Sequence, residues 1–339
     1  APSEDDAPAG GMSRRYRVAL AGYYGFGNLG DELLLRASLE ALDRCGVRRD
    51  RVVVLSSAPK ETSCVLGADS VDRWSFSAVR GALRSSDTLL LGGGGLFQDS
   101  TSLHSCLWYW GLVRGARPWA LGQSIGPLKR RTARWLTRTA LSSCAVLQLR
   151  DGPSMEWARR LGVPAMPGAD LALTLEMPRD AAPVERGRLL VNLRPVAGPE
   201  RFVELAASCV DAFDGERVGV AMSPEDYELL EGARRTGRLR IERTVLVKSA
   251  SDVASLWSPA TGAVGMRLHF AVLSAIYGTP LALLSYDPKT AAFAEWVGLP
   301  GGGSPAERAL KLVRPRLPIT PERVREDVDA LCRAALSEA

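Results

Sequence analysis

The chain alternates short apolar runs with amphipathic stretches, and most apolar runs end in glycines or polar residues. Val18 to Ala21 reads as a strand. The glycine-rich loop GYYGFGNLGDE follows it, and a helix is predicted to begin near Asp31, with Leu34, Ala37, Ala41 and Cys45 at helical spacing on its buried face. RVVVLSS at 51–57, DTLLLGGGGLFQD, RPWALGQSIGPL and CAVLQLRD repeat the scheme of apolar run, polar tip and helix. Strands alternating with helical stretches imply a parallel, doubly wound sheet, with functional groups on the loops after the strands' carboxyl ends. The rhythm pauses at MPRDAAPVERGR (177–188), a linker rich in proline and charge, then restarts with RLLVNLRP, RVGVAMSPEDYELLEGARR, TVLVKSASDVASLW, GAVGMRLHFAVLSAIYG and PLALLSYDP. The pattern therefore predicts an α/β protein of two lobes with a cleft between their facing loops. Residues 15–178 form the first lobe and 188–318 the second. The segment 319–339 carries a last helix, PERVREDVDALCRAAL, that crosses back onto the first lobe.

Composition narrows the classes. With 339 residues, 46% hydrophobic and 24% charged, the chain has an ordinary soluble composition and enough length for two domains. It has no apolar run of about 18 residues or more, so no membrane-spanning helix is expected, and a cytoplasmic location follows. Residues 1–14 are polar, lack the apolar core of a signal peptide, and read as a disordered leader or cloning remnant, with Met12 a natural start. Six cysteines lie far apart with no CxxC, and there are only two histidines, which argues for free buried thiols and against zinc or a disulfide framework. The net charge of +5 suits anionic small molecules or a membrane surface. Aromatic residues are not interleaved with basic ones, so nucleic acid is not an expected partner.

Several loops carry candidate chemistry. Gly25, Gly27 and Gly30 fit GxGxxG, but Asp31 and Glu32 at the helix start would repel a pyrophosphate, and no acid is placed for a ribose. Asn28 and Asp31 suit the hydroxyls of a sugar; equally, Asp31 caps the helix. The four glycines Gly92 to Gly95 imply that something approaches the backbone closely. The polar cluster after them, Gln98, Asp99, Thr101 and Ser102, makes Asp99 either a general base or a structural cap. His104 falls on a helix nearby. Arg131, Arg134 and Arg138 share one helical face with Trp135 adjacent, which is either a solvated face or a contact for a lipid diphosphate or an anionic membrane. In the second lobe, Arg194 ends a buried strand, where a guanidinium recognises carboxylate or phosphate, and Asp287 and Lys289 follow another strand on the same rim. His269 stands beside Arg267 at the threshold of an apolar helix. Taken alone it reads as a hydrogen-bonded core residue.

Together these motifs resemble the polysaccharide pyruvyl transferases, most closely the bacterial branch that modifies secondary cell-wall polymer for S-layer anchoring. GYYGFGNLGDE, LGGGGLFQD, GQSIGP, RDGPSMEWARRLGV, GADLAL, VNLRP, GMRLHFAVLSA and SYDPKTAAF occur in order over residues 18 to about 298. The resemblance implies two Rossmann-like lobes in a GT-B-like arrangement with a central cleft. It also implies transfer of the three-carbon unit of phosphoenolpyruvate, a substrate rather than a cofactor, to a sugar as a cyclic ketal. By resemblance, Arg194, Arg267 and His269 bind phosphoenolpyruvate, with Lys289 on the same rim. His269 and Arg267 assist the reaction. Asn28, Asp31, Gly93, Gly94 and Gln98 lie on the acceptor side, with Asp99 the candidate base. GADLAL lacks the proline that often follows its aspartate in relatives, which leaves the role of Asp170 open. The implied acceptor is an N-acetylmannosamine-containing, lipid-diphosphate-linked disaccharide modified at its 4- and 6-hydroxyls, and no metal is implied. Two other readings keep the same glycines and arginines: a GT-B glycosyltransferase using a nucleotide sugar, and a non-catalytic phospho-sugar or lipid-diphosphate binder.

Overall fold

The structure is a computed structural model that describes residues 15–100, 102–179, 186–300 and 311–338. The first lobe holds β1 (Tyr16–Ala21), β2 (Val52–Ser56), β3 (Asp69–Asp72), β4 (Ser86–Leu91), β5 (Gly94–Phe97), β6 (Pro118–Ile125), β7 (Leu147–Leu149) and β8 (Met166–Pro167). They lie in the order β3-β2-β1-β4-β6-β7-β8, with β5 against β6. The second lobe holds β9 (Arg188–Asn192), β10 (Glu216–Ala221), β11 (Arg243–Leu246), β12 (Ala260–Gly265) and β13 (Leu281–Leu283), in the order β11-β10-β9-β12-β13. Every named pairing is parallel. This is the α/β architecture of two Rossmann-like lobes that the alternating pattern predicts.

In each sheet the chain steps outward from its first strand, then crosses to that strand's other side. The switch points therefore lie between β1 and β4 and between β9 and β12, where ligands of such sheets bind. The glycine loops Gly22–Gly27 and Gly92–Gly95 leave β1 and β4 at the first switch point. Arg194 and Arg267 follow β9 and β12 at the second. Asn192, wholly buried at the end of β9, fixes this corner: its Oδ1 accepts from the Arg267 amide at 3.0 Å and its Nδ2 donates to the Val220 carbonyl at 2.9 Å.

The lobes share one apolar cluster that includes Leu34 and Leu171 of the first lobe, Phe270 and Val272 of the second, and Val328 of the terminal helix. That helix, Pro321–Ser337, packs on the Leu29–Arg44 helix, and Arg44 pairs with Asp329 at 2.9 Å. The Leu29 amide donates to the Met222 carbonyl at 2.9 Å, pinning the glycine-loop helix to the β10 loop. These contacts set the loops of one lobe against those of the other.

Three local details depart from the sequence pattern. The first helix starts at Leu29, because Asn28 supplies the cap, its side chain accepting from the Gly30 amide at 3.2 Å. Strand β3 reads DSVD and β8 has two exposed residues, so neither carries an apolar run. The cysteines described are free, but only Cys106, Cys209 and Cys332 are buried; Cys45 and Cys144 are partly buried and Cys64 is exposed. The leader 1–14 and the linker's centre, 180–185, lie outside the described residues. No helix among the described residues is long and apolar enough to cross a membrane.

Candidate active site

The Leu268–Tyr277 helix begins directly after Arg267, so that residue sits at a helix N-terminus in extended backbone. Its guanidinium turns to the Pro224–Arg235 helix: Nε and Nη2 form a bidentate pair with Asp226, both at 2.6 Å, and Nη2 also meets Ser223 Oγ at 2.8 Å. Asp226 is fully buried, which makes this a preorganised charge rather than a mobile one. Arg194 stands nearby, its guanidinium over the Tyr286 ring at 4.9 Å and hydrogen-bonded to the Tyr286 hydroxyl, with Nε buried and unpartnered among the described residues. Burial, with the charge of Asp287, pushes the Tyr286 phenol up; its reach extends to Arg267. Arg194, Tyr286 and Arg267 thus form one cationic wall.

His269, in the first turn, points across to the first lobe. Its Nε2 lies 3.5 Å from Asp170 Oδ2 and, among the described residues, has no hydrogen-bond partner although buried. Asp170 caps the short helix Leu171–Thr174 and pairs with Arg150 at 2.6 Å. Arg150 also reaches Ser124 Oγ at 2.7 Å. Burial alone would raise the Asp170 carboxyl, but the neighbouring His269 and Arg150 overcome it and hold the group below the usual carboxylate range. Asp31, one turn into the Leu29–Arg44 helix, experiences the opposite balance. Desolvation dominates and pushes it up to about 6, despite the nearby charges of His269, Arg150 and Arg267. Two first-lobe carboxyls around one histidine are therefore held in different protonation ranges, an arrangement suited to moving protons.

Lys289 completes the cluster. Burial, with the charge of Arg150, pushes its ammonium down to about 8. It lines a cavity of about 480 Å³ with Arg150, Asp151, Asp170, Leu268 and Trp296, drawn from both lobes. That volume suits a small ligand. Among the described residues, no group of three or more His, Cys, Asp or Glu is placed to hold a metal ion.

The glycines now have a specific explanation. A Cβ on Gly30 would sit 2.2 Å from His269 Nδ1, and one on Gly95 would sit 2.6 Å from Lys289 Nζ. What comes close to these first-lobe backbones is therefore a pair of second-lobe side chains. Gly92 clears space for the buried Tyr24, whose hydroxyl would lie 1.8 Å from a Cβ there.

The structure thus brings together Arg194, Arg267, His269, Lys289 and Asp31, with Gly94 at their border, and it gives the other candidates different surroundings. Asp99 takes the place of the structural cap: it is buried, with Oδ1 and Oδ2 accepting the Lys129 and Arg130 amides at 2.6 and 2.7 Å before the Arg131–Leu141 helix. Burial opposes its charge, but these bonds and the adjacent cations keep its carboxyl below the ordinary value. Asn28 is occupied as a cap, leaving Asp31 free of that task. Gly93 faces Leu34 and Leu171 in the core; only Gly94, at φ +112, borders Asp31. Among the described residues no hydrogen bond links Gln98 to the cleft, and its carbonyl accepts from Cys106 Sγ at 3.5 Å. On the basic helix, Arg134 turns back to the Leu128 carbonyl at 3.1 Å and over Trp157, leaving Arg131 and Arg138 exposed beside Trp135. Sequence reasoning missed Arg150, although it ends a buried strand as Arg194 does. It also missed the Asp226 partner of Arg267.

The GT-B-like arrangement recurs at 9% identity in the UDP-N-acetylglucosamine 2-epimerase of Rickettsia bellii, over 96% of this chain and 98% of that one, with a TM-score of 0.58. It recurs at 10% identity in Anabaena Alr3699/HepE in complex with UDP and glucose, over 95% and 94% of the two chains, with a TM-score of 0.55. At such identities the likeness is of fold alone. The amylovoran biosynthesis protein AmsJ of Erwinia amylovora is 22% identical over 218 residues, 53% of this chain and 52% of AmsJ, so the match spans about half the length of that curated relative. The model of the polysaccharide pyruvyl transferase family matches residues 28–288, a span that contains Asp31, Arg150, Asp170, Arg194, Arg267 and His269, and the chain belongs to that family.

Proposed function

We propose that the protein transfers a pyruvyl group from phosphoenolpyruvate to a sugar hydroxyl pair, forming a cyclic ketal and releasing phosphate. The observation that carries this reading is His269, an imidazole whose side chain is 12% exposed and whose buried Nε2 faces Asp170 Oδ2 at 3.5 Å between two groups of cations. A site built only to bind a phospho-sugar needs the cations and not the imidazole. Arg194, the remaining edge of Arg267 and Lys289 hold the carboxylate and phosphate of phosphoenolpyruvate. Fixed positive charge then stabilises the charge that moves onto phosphate, the kind of term that dominates such reactions. Protonation of the methylene carbon makes C2 electrophilic, one sugar hydroxyl adds there, the C2–O bond to phosphate breaks, and a second hydroxyl of the same sugar closes the ring. Of the two hydroxyl protons, one is matched by the new methyl hydrogen and the other leaves with phosphate. His269, oriented by Asp170, passes a proton to the departing phosphate. Asp31 takes the hydroxyl proton in place of Asp99.

The acceptor we propose is N-acetylmannosamine within a lipid-diphosphate-linked cell-wall precursor, modified at its 4- and 6-hydroxyls. The exposed Arg131 and Arg138 beside Trp135 would rest on the anionic membrane surface carrying that lipid. A nucleotide-sugar transferase is the rival, because solved proteins of this fold carry UDP. The deciding experiment incubates the protein with phosphoenolpyruvate or a UDP-sugar, plus an N-acetylmannosaminyl disaccharide glycoside. Inorganic phosphate release with an acid-labile ketal on the sugar is expected. Release of UDP with no reaction of phosphoenolpyruvate would overturn the proposal.

A further inference from the structure

Beside the glycine loop the first lobe carries an aromatic floor that the reaction centre does not use. Tyr23 and Phe26 stack at 3.9 Å and 7°. Trp74 meets Phe26 edge-on at 6.2 Å, and lies 6.2 Å from the His104 ring and 6.4 Å from Trp108. These rings come from three separate segments: the loop after β1, the residue pair after β3, and the His104–Val113 helix. Trp74 is 57% exposed and Tyr23 45%, a concentration of open aromatic surface that costs hydration free energy unless something covers it.

Beneath the floor lies Arg73, only 5% exposed, its guanidinium 5.1 Å from the Phe26 ring, 5.5 Å from Trp74 and 5.4 Å from Trp108. Its Nη1 donates to the Gly22 carbonyl at 2.7 Å, its charge acts on the buried Tyr109 phenol, and Nε has no hydrogen-bond partner among the described residues. A buried cation held this way works through the ring faces, fixing their tilt and tying them to the glycine loop. At 5% exposure its guanidinium is not open to a ligand's diphosphate.

The floor continues into the cleft. Gly27 approaches Pro224 of the second lobe, and Tyr23 lies within electrostatic reach of Asp31 and of the second lobe's Glu225. Polar groups rim it: the exposed Ser102 and His104, and Ser57 Oγ, which accepts from Trp74 Nε1 at 3.4 Å. Flat apolar faces with scattered hydrogen-bonding groups, open to solvent and joined to an active site, fit a pyranose ring better than an acyl or isoprenoid chain, which needs apolar walls on several sides.

We propose that this floor is a saccharide subsite, stacking the sugar next to the one that is modified. The inference rests on the pyruvyl-transfer reading and deepens it by assigning the neighbouring sugar to Tyr23, Phe26 and Trp74. Steady-state kinetics of the full chain test it with three water-soluble acceptors: the methyl glycoside of N-acetylmannosamine, the methyl glycoside of an N-acetylmannosaminyl disaccharide, and the same disaccharide with a decyl aglycone. Trp74→Ala is expected to raise KM for both disaccharides about tenfold, corresponding to about 1.4 kcal/mol. It should leave kcat, the monosaccharide KM and the phosphoenolpyruvate KM within twofold, and Trp74→Phe should restore most of the loss. Phe26→Ala, a second variant, should act in the same direction. An unchanged disaccharide-to-monosaccharide KM ratio in both alanine variants would overturn the subsite, as would an effect seen only with the decyl aglycone, which would assign the floor to lipid. Absence of turnover by the unaltered protein on all three acceptors would instead strike the pyruvyl-transfer reading itself.

Discussion

The two lobes share one winding order but bring opposite materials to the cleft. The second lobe supplies charge and the imidazole: Arg194, Arg267, His269 and Lys289 all follow carboxyl ends of its strands, and Arg267 is locked by its own lobe's Asp226 and Ser223. The first lobe supplies carboxyls and space: Asp31 and Asp170, with Arg150 to hold the latter, and glycines at 30 and 95 where second-lobe side chains enter. Neither lobe contains the site alone. His269 acquires its acidic neighbours only because the Leu268–Tyr277 helix packs against the Leu171–Thr174 turn and the Leu29–Arg44 helix. The difference teaches that a glycine-rich loop at a switch point need not be a cradle for a ligand. Here one glycine from each of the two glycine-rich stretches, Gly30 and Gly95, admits a side chain of the partner lobe.

The largest effect should come from removing the group that joins the lobes. His269→Ala is expected to lower kcat by roughly 10²–10⁴, the range for a lost general acid or base, with the melting temperature nearly unchanged. Gly30→Ala sharpens the comparison, since alanine normally stabilises a helix over glycine by about 1 kcal/mol. Here its Cβ would lie 2.2 Å from His269 Nδ1, so the variant should lose both melting temperature and turnover. A stabilised, fully active Gly30→Ala protein would break the account of that glycine.

Within the second lobe, Asp226→Ala strands the largely buried Arg267 guanidinium. Breaking such a pair costs about 3–5 kcal/mol, to be read by denaturant unfolding, and phosphoenolpyruvate affinity should fall with it.

The pH profile gives a gentler test. Lys289, pushed down to about 8, should put a basic limb on kcat/KM for phosphoenolpyruvate, which falls as pH rises above that value; Lys289→Arg should remove the limb. Stability should respond in the opposite sense. The unfolded chain keeps this proton up to the ordinary lysine value of 10.5, so between about 8 and 10.5 the unfolded state binds more protons and the Lys289 contribution to stability rises with pH. Asp31, pushed up to about 6, should give an acidic limb near that value, absent in Asp31→Asn, whose residual rate is low. The smallest effect belongs to Asp99→Asn. It loosens the loop before the Arg131–Leu141 helix by about 1–2 kcal/mol and should leave kcat within a few-fold.

Most of the fold was legible because its central strands are continuous apolar runs, as buried parallel strands must be. VVVLS of β2 is buried at every position. The edge strand β3 was not legible, because DSVD is half-exposed and polar, and with it went the position of Arg73 and Trp74. In the site, cations at strand ends were legible by type: an arginine that ends a buried strand has no packing role. Applied consistently, that argument finds Arg150 as well as Arg194. Partnerships were not legible. Arg267 and Asp226 are 41 positions apart and meet through the order of β9, β10 and β12, which no local pattern encodes. Asp99 misled for the same reason: a polar residue after a glycine run has one appearance whether it faces a substrate or two backbone amides.

The central claim is that the second lobe's cations form a phosphoenolpyruvate site. Thermal unfolding measures it directly, on the unaltered protein and on Arg194→Ala, each with phosphoenolpyruvate, with UDP-sugars, and without ligand. A ligand that binds only the folded state raises the melting temperature by mass action. The account predicts a concentration-dependent rise with phosphoenolpyruvate that Arg194→Ala abolishes, and none with UDP-sugars. A rise with a UDP-sugar and none with phosphoenolpyruvate would contradict it.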